Sequence, residues 1–138
     1  MAFSKRFLLP HRNHYYSRLG INKAQVYSLY QDHTQDIVLI EKNNPPEMYY
    51  KITGDGLITA EKDIFLSITV ADCLPVFIID KKTGAYGIIH SGWKGTGIIE
   101  NGISFMESCF HTRQENLKIL IGPGIGPRCY QVPKKRYH

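Results

Sequence analysis

From residue 68 to residue 97 the chain reads ITVADCLPVFIIDKKTGAYGIIHSGWKGTG, two apolar runs that share one polar turn and end in a glycine-rich loop. Residues 64–70, rich in branched and aromatic side chains, predict a buried strand running into this stretch, and residues 75–80 predict a second. Lys81-Lys82-Thr83-Gly84 carries turn chemistry, and residues 85–89 resume the extended pattern and deliver His90 to Ser91-Gly92-Trp93-Lys94-Gly95-Thr96-Gly97. Cys73 and His90 therefore both fall where a strand meets a loop. In sheets covered by helices, such ends are where side chains from separate segments converge on a ligand.

The remaining sequence supplies a mixed set of elements. Residues 5–20 are basic and aromatic and predict a helix interrupted at Pro10 and closed by Gly20. Residues 25–30 and 37–40 predict short strands, 42–47 a loop, and 117–121 a last strong strand before Gly122-Pro123-Gly124-Ile125-Gly126-Pro127. Thr96 is the expected amino-terminal cap of a helix over 98–107, in which Ile99, Ile103 and Met106 make one apolar face, with Cys109 packing beyond it. Strands and helices do not alternate regularly, so the expected class is α+β, a mixed α/β sheet with flanking helices in a single domain over 1–138.

Five segments occur in order: Gln31-Asp32-His33, Ala-Asp-Cys-Leu-Pro at 71–75, His-Ser-Gly-Trp-Lys-Gly at 90–95, Gly-Pro-Gly-Ile at 122–125, and Cys-Tyr-Gln-Val at 129–132. Each alone is weak, but their joint order over about a hundred residues is specific. The sequence resembles the YfiH/laccase-domain family, also described as multicopper polyphenol oxidases or as purine nucleoside phosphorylases of that fold. The resemblance implies a YfiH-like, cysteine-hydrolase-like fold and a zinc-dependent purine nucleoside enzyme. Such an enzyme phosphorolyses adenosine, inosine, guanosine or methylthioadenosine and deaminates adenosine, and its partners are a purine nucleoside and phosphate. The resemblance carries metal and catalytic roles to His33, Cys73 and His90. The chain looks short at both ends relative to that family, and the family's phosphate-binding arginine has only Arg12 and Arg18 as candidates. Self-association is the expected cover for the sheet edges this leaves.

By residue type alone, one thiol and two imidazoles suit Zn²⁺ with an open fourth position. The same atoms also fit a metal-free hydrolase, in which His33 or His90 deprotonates Cys73 and Asp72 orients the imidazole. A third reading is a shortened, weakly active relative that binds a metal or a partner. Copper-dependent polyphenol oxidation ranks lower, because three such ligands do not build a multicopper centre. For substrate contacts the candidates are Asp55, Asp72, Ser91, Gly92 and Lys94. Asp55 has the alternative of satisfying loop amides in Gly54-Asp55-Gly56, and Trp93 is expected in the core. The loop at 91–97 ahead of a helix is a candidate anion cradle.

The apolar content of 43% suits a globular domain. Three cysteines with no CxxC pair argue against a disulfide framework and for a reducing, cytoplasmic setting. No apolar run approaches a membrane span, and residues 1–10 carry only a short apolar Phe7-Leu8-Leu9 without a cleavage signature, so no leader is expected. The net charge of +5 is concentrated most in the basic tail at 133–138, which reads as solvated rather than as a nucleic-acid surface.

Overall fold

The computed structural model describes residues 9–126 and 128–131. Val132, the basic tail at 133–138 and the stretch before Leu9 lie outside the described residues. Strands β5 (Leu74–Asp80) and β6 (Tyr86–Ser91) pair as an antiparallel hairpin across the predicted 81–84 turn, with Pro75 opposite His90 and Leu74 opposite Ser91. Around them lie β2 (Ile37–Leu39), β3 (Gly56–Thr59) and β7 (Leu117–Ile121), in a five-stranded sheet of order β2-β3-β6-β5-β7. The β2–β3 pair is parallel and the other neighbours are antiparallel, so the sheet is mixed. The α+β expectation holds.

Alternation along β3 and β6 divides the core between the two faces of the sheet. Ile58 and Ile89 face α3 (Ile98–Phe110) and pack with Val76, Ile78, Ile98 and Met106. Leu57 and Ile88 face the other way, onto Tyr27, Leu29, Ile40, Tyr49 and Ile64. Both faces of β3 are thus buried, as a period-two pattern with apolar residues on both sides requires. The helix comes close to the sheet at Gly102, where a Cβ would stand 2.5 Å from the Cδ1 of Ile89.

Three elements depart from expectation. The run 64–70 pairs only as β4 (Phe65–Leu66), parallel to β1 (Val26–Tyr27) in a separate two-stranded sheet. Its apolar side chains Ile64, Leu66 and Ile68 pack onto the face of the main sheet instead of entering it. Helix α1 is described over Leu9–Arg18, and the expected break at Pro10 falls at the margin of the described residues. The expected loop at 42–47 gives way at its end to a single helical turn, α2 (Pro46–Tyr49), with Pro46 at its start. Gly97, at φ 97°, and not Thr96, precedes α3, while the Thr96 hydroxyl donates to the Trp93 carbonyl at 2.6 Å. Cys109 is exposed on α3 rather than packed.

At the far edge, no strand pairs with the outer side of β7 among the described residues. Register places Ile119 and Ile121 on the α3 side and Leu120 on the other, and these are 42%, 56% and 52% exposed. Among the described residues no helix is long and apolar enough to cross a membrane.

Candidate metal centre

Sheet pairing brings together residues far apart in sequence. Cys73 immediately precedes β5, and His90 lies one residue before the end of β6 in the neighbouring strand. His33 comes from the loop leading to β2. One ligand atom from each of His33, Cys73 and His90 lies within 4.8 Å of the others. The Cys73 Sγ stands 3.7 Å from the His33 Nε2, and the two imidazoles meet edge to face at a centroid distance of 4.7 Å. His90 is 4% exposed whereas His33 is exposed and Cys73 half-buried, so the cluster has a closed floor and an open mouth.

Polar clasps hold the three segments in place. The Gln31 amide donates to the Thr69 carbonyl at 3.0 Å and accepts from the Thr69 amide at 2.7 Å, a side-chain copy of a sheet ladder between the His33 and Cys73 segments. On the other side, the Asp55 Oδ1 lies 2.6 Å from the His90 Nδ1. Its Oδ2 accepts from the Asp32 amide at 3.2 Å, the Thr34 amide at 2.6 Å and the Thr34 hydroxyl at 2.9 Å. His33, between those two amides, has φ 56°, a left-handed conformation uncommon for a residue with a Cβ and one that the surrounding contacts must maintain. The Ile125 amide donates to the Asp72 carbonyl at 2.9 Å and the Gly122 amide to the Pro75 carbonyl at 2.8 Å, so the Gly-Pro-Gly-Ile loop braces the entry to β5.

Two glycines of the His90–Gly95 motif permit close approach. A Cβ at Gly92 would stand 2.7 Å from the His33 Cδ2 and 3.2 Å from the Cys73 Sγ, and one at Gly95 would stand 2.5 Å from the Thr34 carbonyl oxygen. Nothing larger fits between that loop and the His33 segment.

The charge states follow from these surroundings. Burial pushes the Cys73 thiol above its ordinary value, and the nearby Asp72 and Asp55 carboxylates add to the rise. Burial also raises the Asp55 carboxyl, but the hydrogen bonds from His90, Thr34 and Asp32 outweigh it and leave the group below the usual carboxylate range.

Of the sequence candidates, His33, Cys73 and His90 converge. Asp55 is fully buried, with one oxygen on His90 and the other on the Asp32–Thr34 segment. Asp72 is exposed, and the imidazole of His90 is oriented by Asp55 in its place. Ser91 is half-buried at the end of β6, Gly92 is buried against His33, and Lys94 is exposed at the rim. Trp93, expected in the core, is 53% exposed beside Lys94. Arg12 donates from its guanidinium to the Thr69 hydroxyl, and Arg18 is exposed in the last turn of α1. Thr34 was not singled out from sequence, and nothing in a lone threonine signals its role. Gln31 was visible only as a motif position.

Residues 8–138 match the family model described as multi-copper polyphenol oxidoreductase laccase. The chain belongs to that family. Laccase-family relatives include the purine nucleoside phosphorylase LACC1 of Mus musculus, 30% identical over 118 residues covering 84% of this chain and 26% of the relative. Another is purine nucleoside phosphorylase YlmD of Geobacillus stearothermophilus, 33% identical over 109 residues covering 74% of this chain and 40% of the relative. The crystal structure of that YlmD superposes with a TM-score of 0.82 at 28% identity, over 90% of this chain and 48% of that one. The YfiH protein of Bacillus licheniformis superposes at 0.77 with 26% identity, over 88% of this chain and 48% of that one. The chain thus spans half or less of the length of these relatives.

Proposed function

We propose that this chain carries the metal-bearing part of a zinc-dependent purine nucleoside enzyme, acting in phosphorolysis of adenosine, inosine, guanosine or methylthioadenosine and in deamination of adenosine. The observation that supports it is the convergence of one thiol and two imidazole donors within 4.8 Å, with a closed floor and an open mouth. This donor set fits the group: a thiolate and two imidazoles match zinc in softness and number, with room for a fourth position. When bound, zinc supplies a Lewis acid at neutral pH.

The chain's own residues do the rest. His33, exposed at the mouth, is the ligand residue that a substrate meets first. Lys94 at the rim and the Arg12 guanidinium at Thr69 supply positive charge for phosphate. The loop at 91–97 offers backbone amides ahead of α3, and the exposed Trp93 offers a flat face for a purine. Copper oxidation, which the family's description names, needs more ligands than this cluster provides. A reducing compartment such as the cytoplasm suits it, because Cys73, Cys109 and Cys129 are all free thiols.

The Cys73–His33 approach of 3.7 Å also favours a second reading, a metal-free cysteine hydrolase. The raised thiol weighs against it, since without a metal nothing draws the proton off and a protonated sulphur is a poor nucleophile.

Elemental analysis of protein purified without added metal, with a His90→Ala comparison, tests the first reading. One zinc per chain, lost in the variant, is expected, followed by phosphate-dependent release of base from a purine nucleoside that Cys73→Ala abolishes. Absence of zinc from the wild type overturns the metalloenzyme. Zinc without turnover would leave a weakly active relative that binds metal.

A further inference from the structure

We propose that Asp55 is the positioning residue of the centre, fixing which nitrogen of His90 faces the ligand cluster. The inference deepens the reading of His33, Cys73 and His90 as a metal site. An imidazole offers a metal only the nitrogen that carries no proton, so the tautomer of a neutral histidine decides whether it can ligate at a given face. The carboxylate of Asp55 accepts but cannot donate, and at 2.6 Å from the His90 Nδ1 it requires the proton to sit there. That leaves the lone pair on Nε2, the nitrogen free to face Cys73 and His33. The His90 backbone amide donates to the Asp55 carbonyl at 2.7 Å, so the same residue also fixes the main chain from which the ring projects.

The second oxygen makes the arrangement specific to a carboxylate. The Asp55 Oδ2 faces three donors, the Asp32 and Thr34 amides and the Thr34 hydroxyl. An asparagine at position 55 has one carbonyl oxygen and one NH₂ group. The two backbone amides cannot change direction, so the oxygen must take the Oδ2 place and the NH₂ must face the His90 Nδ1. His90 would then accept at Nδ1 and carry its proton on Nε2, closing the ligand position. A single carboxylate thus holds both histidines, His90 directly and His33 through the two amides that flank it.

The test is made first on the metal-free chain, labelled with ¹⁵N in its histidines, by recording ring-nitrogen spectra at about pH 8.5, above the ordinary histidine pKa of about 6.5. The His90 signal is assigned by its loss in His90→Ala. The expected result is a proton on Nδ1 in the wild type and on Nε2 in Asp55→Asn. Thr34→Val, which loosens the same loop but leaves the carboxylate, should keep the proton on Nδ1. Zinc affinity, measured by competition with a chromogenic chelator, should fall about tenfold to a hundredfold in Asp55→Asn. A wild-type proton on Nε2 overturns the proposal even if the variant does not fold. So does an unchanged tautomer in a folded Asp55→Asn, or a zinc affinity within about threefold of the wild type. A wild type that binds no zinc but shows the expected tautomers would sink the metal reading and leave the positioning role of Asp55 standing.

Discussion

Gly92 and His33 are in such close contact that a methyl group at position 92 would stand 2.7 Å from the imidazole Cδ2. Gly92→Ala should therefore push His33 away from Cys73 without disturbing the core, which lies on other side chains. Zinc affinity is expected to fall by about tenfold or more, while circular dichroism and the thermal midpoint change little. A variant with wild-type zinc affinity would show that the cluster tolerates displacement of His33.

Gln31 and Thr69 exchange two hydrogen bonds at an exposed position, each contributing about 0.5–1.5 kcal/mol net. Gln31→Ala removes both. The thermal midpoint should drop by about 3–4 °C per kcal/mol lost in a chain of this length, and metal affinity should drop with it, because this clasp ties the His33 segment to the Cys73 segment. Gln31→Glu keeps the acceptor for the Thr69 amide but turns a carboxylate oxygen toward the Thr69 carbonyl, so it should rescue less than half of the loss.

Asp80, fully buried at the end of β5, accepts from the Lys82 amide at 2.7 Å and the Thr83 amide at 3.2 Å. Burial raises its carboxyl, but the neighbouring Thr112 hydroxyl and the Lys82 and Thr83 groups outweigh it and hold the pKa down to about 2. In the unfolded chain the value is about 3.9, so the stabilisation is complete above that pH and is lost as pH falls toward the folded value. Urea midpoints of Asp80→Asn should lie below the wild type at pH 7, with the gap narrowing as the pH drops toward about 2. A gap that stays constant with pH would show that the ionised form of Asp80 is not what the fold uses.

The β7 edge, unpaired among the described residues, carries apolar residues on both faces, the profile of an interior strand. The 138-residue chain in isolation should associate with rising concentration, measured by sedimentation velocity. Leu120→Lys places a charge on that edge and should shift the population to monomer, with the sheet intact. Equal association of both proteins would show that β7 is not the contact.

Much of the cluster was legible because its donor residues sit in short, recognisable segments, two of them at strand ends. Cys73 and His90 flank a hairpin whose turn residues are unmistakable, and β5, β6, β7 and α3 follow their apolar runs closely. The run 64–70 misled because branched side chains suit any half-buried extended segment, and whether such a segment enters a sheet or lies on it is decided by which strands pair elsewhere. Trp93 misled for a related reason: aromatic character predicts burial, but the glycines around it press the backbone, and not the indole, against the His33 loop. The double engagement of Asp55 could not be read at all, since it depends on two segments lying 21 and 35 residues away.

That spacing has a thermodynamic corollary. Cys73 lies 40 residues from His33, and His90 lies further along the chain, so an ion held by all three would act as a cross-link over long loops of chain. Cross-links of this reach restrict the unfolded ensemble most, and an ion present at about a hundred times its dissociation constant would add about 2.7 kcal/mol to the native state. Resistance of this chain to heat would then be a property of the solution as much as of the sequence, rising and falling with the free metal around it.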